Sequence, residues 1–251
     1  DRSKPTWVVG LDYEAPTAEL YDPTVQTAED DRGQIGDRIH KYTFFTAFSK
    51  RLGVADPYFK LQYTAPARGP GWYSNCDALD RALNMSVPSN CHTGIWTREE
   101  TGIRPPHKVG VLFGSEFNLH EGEAKHQRVA LDLHTNAEYV SQGRYYNPLT
   151  DMLGKLLYTG DYLDVGGGIG ITAQASEYLI LRAVSTLLYG TERTLTDERI
   201  GKDVDGDGQV AIDDVAELNP NFDYRADMVS RRFRLKDAFT FRLELSATFA
   251  F

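Results

Sequence analysis

Residues 239–251 read FTFRLELSATFAF, and the alternation in that stretch admits one kind of local structure. Phe239, Phe241, Leu243, Leu245, Ala247, Phe249 and Phe251 fall on one face. Thr240, Arg242, Glu244, Ser246, Thr248 and Ala250 fall on the other. A repeat of two is the repeat of a β-strand, so this segment is a strand set between an apolar and a polar environment.

The pattern recurs upstream. Trp7, Val9, Leu11 and Tyr13 oppose Val8, Gly10, Asp12 and Glu14; Tyr42, Phe44, Thr46 and Phe48 oppose Lys41, Thr43, Phe45, Ala47 and Ser49. Further alternating segments surround Phe59–Tyr63, Val109–Leu119, Val129–Tyr139 and Val165–Ile171. Tyr178–Tyr189 is apolar on both faces apart from Arg182, Ser185 and Thr186, so its facing stays open. The eight candidate strands are joined by connections that alternate in length. About 15–40, 66–106, 142–162 and 191–236 are long, whereas 51–57, 120–127 and 175–177 are short. In an up-and-down antiparallel arrangement, alternate connections lie at opposite ends, so all the long loops gather at one end. A further hairpin around Thr93–Thr97 would raise the count to ten. Asn147–Tyr158 carries helical spacing through Leu149, Met152, Leu156 and Leu157.

The chain has 251 residues, a size that suits one large all-β domain spanning 1–251. Its formal charge of -9 argues against a nucleic-acid partner. No apolar run approaches the ~18 residues of a membrane helix, but membrane strands leave no such run. The sequence begins at Asp1, as expected after removal of a signal peptide or after trimming. Cys76 and Cys91 share one polar loop, which predicts a disulfide and an oxidising compartment; two free thiols are the alternative.

Two architectures fit the alternation: a soluble barrel with its aromatic face inside, or a membrane barrel with that face outside. Three features favour the membrane. The polar face is rich in glycine (Gly10, Gly110, Gly114, Gly166, Gly168 and Gly170), which suits a narrow lumen better than a solvated surface. That face also carries both charge signs: Asp12, Glu14, Glu116, Asp132, Glu138, Asp164 and Glu244 against Lys41, Lys60, Arg128, Arg182 and Arg242. Trp7, Tyr13, Tyr42, Tyr63, Tyr139, Tyr189, Phe249 and Phe251 lie near strand ends on the apolar face, as an interfacial girdle would.

The alternating last strand ending in Phe251 resembles the C-terminal signal of bacterial outer-membrane barrels, and the strand count resembles the small class typified by the OmpA transmembrane domain and OmpX. The resemblance implies an antiparallel up-and-down transmembrane β-barrel of about eight strands, inserted by the barrel-assembly machinery of a Gram-negative cell envelope. Both termini would be periplasmic and the long loops extracellular.

Within the 191–236 loop, Asp203-Val204-Asp205-Gly206-Asp207-Gly208-Gln209-Val210-Ala211-Ile212-Asp213-Asp214 resembles an EF-hand calcium loop, and more closely a dockerin repeat. Asp203, Asp205 and Asp207 occupy positions 1, 3 and 5, Gly208 the turn, the Gln209 carbonyl position 7, and Asp214 position 12. Ca2+ held by these five residues is expected to order the loop. A full dockerin has two such motifs, so cohesin binding is not implied.

Other motifs carry less. The run Gly166-Gly167-Gly168-Ile169-Gly170 lacks the following helix that a phosphate loop needs. Asp132 and His134 read as a satisfied lumen pair rather than a catalytic one. Arg231, Arg232, Arg234 and Lys236 lead into the last strand, where they would meet lipopolysaccharide phosphates or pair with acidic loops such as Glu29, Asp30 and Asp31. The expectation is a non-enzymatic outer-membrane barrel with a plugged lumen, no catalytic residue, and partners in outer-membrane lipid, lipopolysaccharide and an envelope or surface protein. A narrow channel and a lipid-A-modifying enzyme are the alternatives.

Overall fold

The computed structural model describes residues 4–24, 36–77, 88–91, 93–122, 127–176 and 178–249. The strands are β1 (Thr6–Glu14), β2 (Ile39–Ser49), β3 (Ala55–Arg68), β4 (Lys108–Gly122), β5 (Gln127–Val140), β6 (Gly143–Tyr145), β7 (Leu157–Thr159), β8 (Tyr162–Ser176), β9 (Leu179–Gly190), β10 (Arg193–Thr194), β11 (Arg234–Leu235) and β12 (Ala238–Phe249). Two single-turn helices, α1 (Arg98–Thr101) and α2 (Thr150–Leu153), lie in the loops. Eight strands form one antiparallel sheet in the order β1-β2-β3-β4-β5-β8-β9-β12, so each strand pairs with the neighbour that the meander supplies. The remaining strands make two ribbons, β6–β7 and β10–β11, which stiffen the bases of two long loops.

All eight candidate segments are strands of the main sheet. The ten-strand alternative is corrected: among the described residues around Thr93–Thr97 there is one isolated bridge, Cys91 to Trp96, and no hairpin. Tertiary contacts hold that stretch as loop instead, since the Trp96 indole donates to the Ala216 carbonyl at 2.8 Å. The helical spacing at 147–158 yields only α2, which ends where Gly154 takes a left-handed conformation. Helix α1 starts with a capping box: Thr97 and Glu100 exchange side-chain and backbone hydrogen bonds.

Register settles the facing of β9. Gly166, Gly168, Gly170 and Thr172 on β8 stand opposite Leu188, Thr186, Val184 and Arg182, so these four β9 residues share the glycine face. Among the described residues β1 pairs with β2 alone and β12 with β9 alone, which leaves one backbone edge on each open.

The buried apolar cluster lies at the loop end, not against the sheet. Ile39, Tyr73, Ile103 and Leu156 form it, with Leu20, Trp72, Tyr145 and Tyr146 packed around. These residues come from the three connections preceding β2, β4 and β8 and from the adjoining start of β2. Among the described residues no helix is long and apolar enough to cross a membrane.

Candidate functional site

Among the described residues, no protein covers the apolar face of the sheet. Phe113 on β4 is 60% exposed, Ile169 on β8 55% and Phe241 on β12 67%, and the exposed apolar set includes members of every strand of the sheet. β4, β5 and β8 lie in the middle of the sheet, where a water-soluble sandwich would bury such residues. At about 25 cal/mol per Å² of apolar surface, leaving a face of this size in water is strongly unfavourable.

A row of tyrosines borders this face at the loop end. Tyr13, Tyr63, Tyr139 and Tyr189 sit on β1, β3, β5 and β9, the strands that run toward the long loops. Each hydroxyl bonds a polar group at the sheet's margin: His40 Nδ1 at 2.7 Å, His107 Nδ1 at 2.8 Å, Asp161 Oδ2 at 3.1 Å and Asp237 Oδ1 at 3.1 Å. Tyr42 stacks on Tyr13 with ring centroids 5.1 Å apart. Near the other end of β1, the Trp7 indole donates to Thr46 Oγ1 at 2.6 Å. Five of these rings, Trp7, Tyr13, Tyr63, Tyr139 and Tyr189, are apolar in body and anchored at a polar tip, the arrangement that suits a lipid–water boundary. Phe251 lies outside the described residues.

The opposite face is polar and crowded, and much of its charge is paired. Asp132 accepts from the Tyr58 hydroxyl at 2.6 Å through one carboxylate oxygen and pairs with His134 Nδ1 at 2.6 Å through the other. Lys41 pairs with Glu14 at 2.8 Å, Arg128 with Glu116, Lys108 with Glu138 at 3.8 Å and Arg193 with Asp164 at 3.8 Å. Lys60 lies 4.9 Å from the centre of the Phe45 ring. The glycines make room for this packing. A Cβ on Gly10 would lie 2.3 Å from the Phe45 ring, one on Gly114 2.5 Å from the Tyr58 hydroxyl, and one on Gly168 2.6 Å from the His134 ring.

Three long loops lock together at the sheet's end through buried polar groups. Arg144 meets Glu198 in a two-pronged ion pair, and its Nη1 donates to the carbonyls of Glu100 and Gly102. Asn75 donates to the Leu156 carbonyl at 3.0 Å and accepts from the Leu156 N–H at 2.7 Å. Its amide also reaches Asn221 at 2.7 Å. Lys155 donates to the Asn221 carbonyl at 2.7 Å and lies 3.5 Å from Asp227, whose carboxyl burial pushes above the ordinary range. The disulfide Cys76–Cys91 closes the 66–106 loop, with Cα atoms 5.5 Å apart. Asn90 beside it donates to the carbonyls of Val215 and Leu218, tying that loop to the segment that follows the acidic motif.

In the acidic loop, Asp203 Oδ1 accepts from Gly206 N–H at 2.6 Å and Oδ2 from Gly208 N–H at 2.8 Å. Both glycines are left-handed, with φ of 82° and 85°. These amides hold the Asp203 carboxyl below its ordinary range. Asp203 and Asp205 come together with Glu217, each offering an oxygen within 4.8 Å of the others. Glu217 is buried; it accepts from Val204 and Ala211 N–H at 2.9 and 2.6 Å, which lower its carboxyl likewise.

The other members of the sequence-read ligand set stand apart from this triad. Asp207 caps the Gln209 N–H at 2.8 Å, and Asp214 caps the Ala216 N–H at 2.8 Å. Glu217 was not legible because it lies three residues beyond the twelve-residue motif. An oxygen-only triad within 4.8 Å fits a cation whose ligand distances are about 2.3–2.6 Å.

The basic cluster before β12 is largely paired. Arg232 meets Asp197 at 2.7 Å, Arg234 meets Glu192 at 3.3 Å and Lys236 meets Glu192 at 3.5 Å. Arg231 donates to the Tyr224 carbonyl at 3.3 Å. The acidic partners suggested by sequence, Glu29, Asp30 and Asp31, lie outside the described residues. No protein-family model, no curated protein and no solved structure matches this chain.

Proposed function

We propose that this chain is an outer-membrane β-barrel whose apolar sheet face contacts lipid and whose interlocked loops form an external cap with a surface-interaction role. The carrying observation is the uncovered apolar face on all eight strands, bordered by tyrosines with anchored hydroxyls. Strands of 9–15 residues meet the ~9–11 that a tilted membrane strand needs.

The open edges of β1 and β12 bear on the same reading. In hydrocarbon each unpaired backbone group costs several kcal/mol, so the two edges join and close the sheet on insertion. They run antiparallel to each other, as closure of an even meander requires. The glycine-lined polar face then becomes the lumen, filled by Phe45, Tyr58 and His134 and neutralised by its own ion pairs. This supports a plugged barrel over a narrow channel, and a structural role over lipid-A chemistry, since Asp132 is engaged on both oxygens. The termini are periplasmic, the barrel-assembly machinery inserts the chain, and no nucleic acid is involved.

Ca2+ is proposed as the cation of the acidic loop, held by Asp203, Asp205 and Glu217 with water completing the shell. Its part is to order the segment that docks on Asn90 and Trp96. Lipopolysaccharide contact through Arg231, Arg232, Arg234 and Lys236 has less support, because three of the four are spent on Asp197 and Glu192.

The test is reconstitution. Purified protein is expected to require detergent or lipid, to migrate faster on gels unheated than boiled, and to give no steady conductance in planar bilayers. Cysteines at Val9 and Leu245 are expected to cross-link within one chain through a short reagent. A compact monomer without detergent contradicts the reading, and a large steady conductance contradicts the plugged lumen.

A further inference from the structure

A cleft of about 650 Å³ opens in the loop cap, between the 66–106, 142–162 and 191–236 connections. It lies in the cap alone, so its binding chemistry is independent of the membrane reading. Its charges do not balance. Four acids line it, and each has a cation of its own: Glu99 with Arg68, Glu100 with Lys202 at 2.7 Å, Glu198 with Arg144, and Asp197 with Arg232.

The paired cations have further partners. Arg68 also donates to the carbonyls of Ile103 and Glu99, Arg144 to those of Glu100 and Gly102, and Lys202 to that of Ile95. Two guanidinium groups remain. Arg104 and Arg199 both line the cleft, both are exposed, and among the described residues neither side chain has an ion pair or hydrogen bond. The Gln142 carboxamide and the Tyr158 hydroxyl line the same cleft and are likewise unengaged among the described residues.

The backbone explains the placement. Arg104 bridges Arg144 in antiparallel register, with its N–H donating to the Arg144 carbonyl at 2.6 Å. Its neighbours Ile103 and Pro105 line a different cavity, while Arg104 itself lines this one. Arg199 follows Glu198, whose bond to Arg144 fixes the chain there.

We propose that this cleft binds an acidic sugar, a hydroxylated ring bearing a phosphate or carboxylate, with Arg104 and Arg199 on the oxyanion. Two free guanidiniums with five donors each select an anion with several acceptor oxygens. The amide, the phenol and the rim of paired carboxylates supply donors and acceptors for ring hydroxyls. Cations lie over both aromatic rings of the cleft, Lys202 at 4.5 Å from the buried Trp96 and Arg144 at 5.9 Å from the half-buried Tyr158, which favours an anionic, hydroxylated ligand over a purely hydrophobic one. The volume falls within the ~300–1,000 Å³ of ligand pockets.

The experiment is calorimetry on the purified full chain, in detergent if it requires it, with glucose 6-phosphate, glucuronate and neutral glucose. The acidic sugars are expected to bind and glucose not to. Arg104→Gln and Arg199→Gln should each weaken binding about tenfold or more, as loss of a charge-assisted contact does. Raising sodium chloride from 50 to 500 mM should weaken the wild type more than the double variant. Both side chains are exposed, and an unchanged far-ultraviolet circular dichroism spectrum checks that each variant is folded. Displacement by lipopolysaccharide would assign the natural sugar to the surrounding leaflet, and persistence of binding to a soluble source; both results support the site. Absence of binding by both acidic sugars at 10 mM, or equal affinity in wild type and double variant, would overturn it.

Discussion

The Tyr63 hydroxyl lies 2.8 Å from Nδ1 of His107, and the two rings stack at 5.9 Å with 7° between their planes. Tyr13 and His40 repeat this relationship, at 2.7 Å between the atoms and with 9° between the planes. Two strands apart, the chain has solved one problem twice: a ring on an apolar face with its tip held at the polar margin. Tyr63→Phe is therefore expected to cost about 0.5–1.5 kcal/mol, the net worth of one hydrogen bond. Urea unfolding from liposomes measures it. Stability equal to wild type would mean that the hydroxyl anchors nothing.

Gly168 faces His134 across β8 and β5, and a Cβ there would enter the His134 ring. Gly168→Leu is expected to destabilise by about 1–3 kcal/mol through overpacking, whereas Ile169→Leu on the opposite face stays under about 1.5 kcal/mol. The comparison, made in micelles by chemical unfolding, tests which face is crowded. Equal costs would argue that both faces have room.

Calcium should protect the 200–219 segment from protease, and chelator should expose it while far-ultraviolet circular dichroism of the sheet stays unchanged. A site of this kind is expected to half-saturate on the order of 10⁻⁴ to 10⁻³ M. Asp205→Ala and Glu217→Gln should both cleave as the chelated wild type does. If calcium alters none of these digests, the acidic loop is not a calcium site.

Asp223 gives the cap an acid limit. Burial works to raise its carboxyl, but the Arg225 guanidinium and backbone N–H outweigh burial and hold it below the ordinary range. A depressed folded value stabilises the cap above the unfolded value near 3.9, and that contribution disappears as pH falls toward the folded one. The protection of amides in the 219–227 segment, relative to their intrinsic exchange rate at each pH, is expected to be high at pH 5 and to fall by pH 3. In Asp223→Asn protection should already be lower at pH 5, with a smaller step. An identical step in the variant would assign the acid response elsewhere.

The sheet was readable because a strand between two environments must alternate, and seven segments did so, whereas Tyr178–Tyr189 was legible only as an apolar run whose facing the sequence left open. Sorting of loop length added the meander. The cap was not readable, because it is assembled from single polar residues far apart in sequence. Arg144 and Glu198 are 54 positions apart, and Asn75 and Asn221 146 apart, with no periodicity to announce either pair. Strands β6, β7, β10 and β11 have two or three residues each, too few to carry a pattern. Helix α1 did leave a signal, the Thr97-x-x-Glu100 capping box. Of the acidic site, Asp203 and Asp205 were legible from spacing, whereas Glu217 enters only through the turn that follows Asp214.

The membrane reading is tested most directly on the last strand, where Phe241, Leu243 and Leu245 alternate with Thr240, Arg242 and Glu244. A nitroxide is placed singly at each position from 239 to 247 in protein reconstituted into liposomes, and its collisions with oxygen and with a water-soluble nickel chelate are compared. Oxygen, which concentrates in hydrocarbon, is expected to dominate at 239, 241, 243 and 245 and to fall at each residue between, a period of two in phase with the apolar face. Access to the nickel chelate that is equal on both faces, or greater at the odd positions, would contradict a lipid-facing sheet.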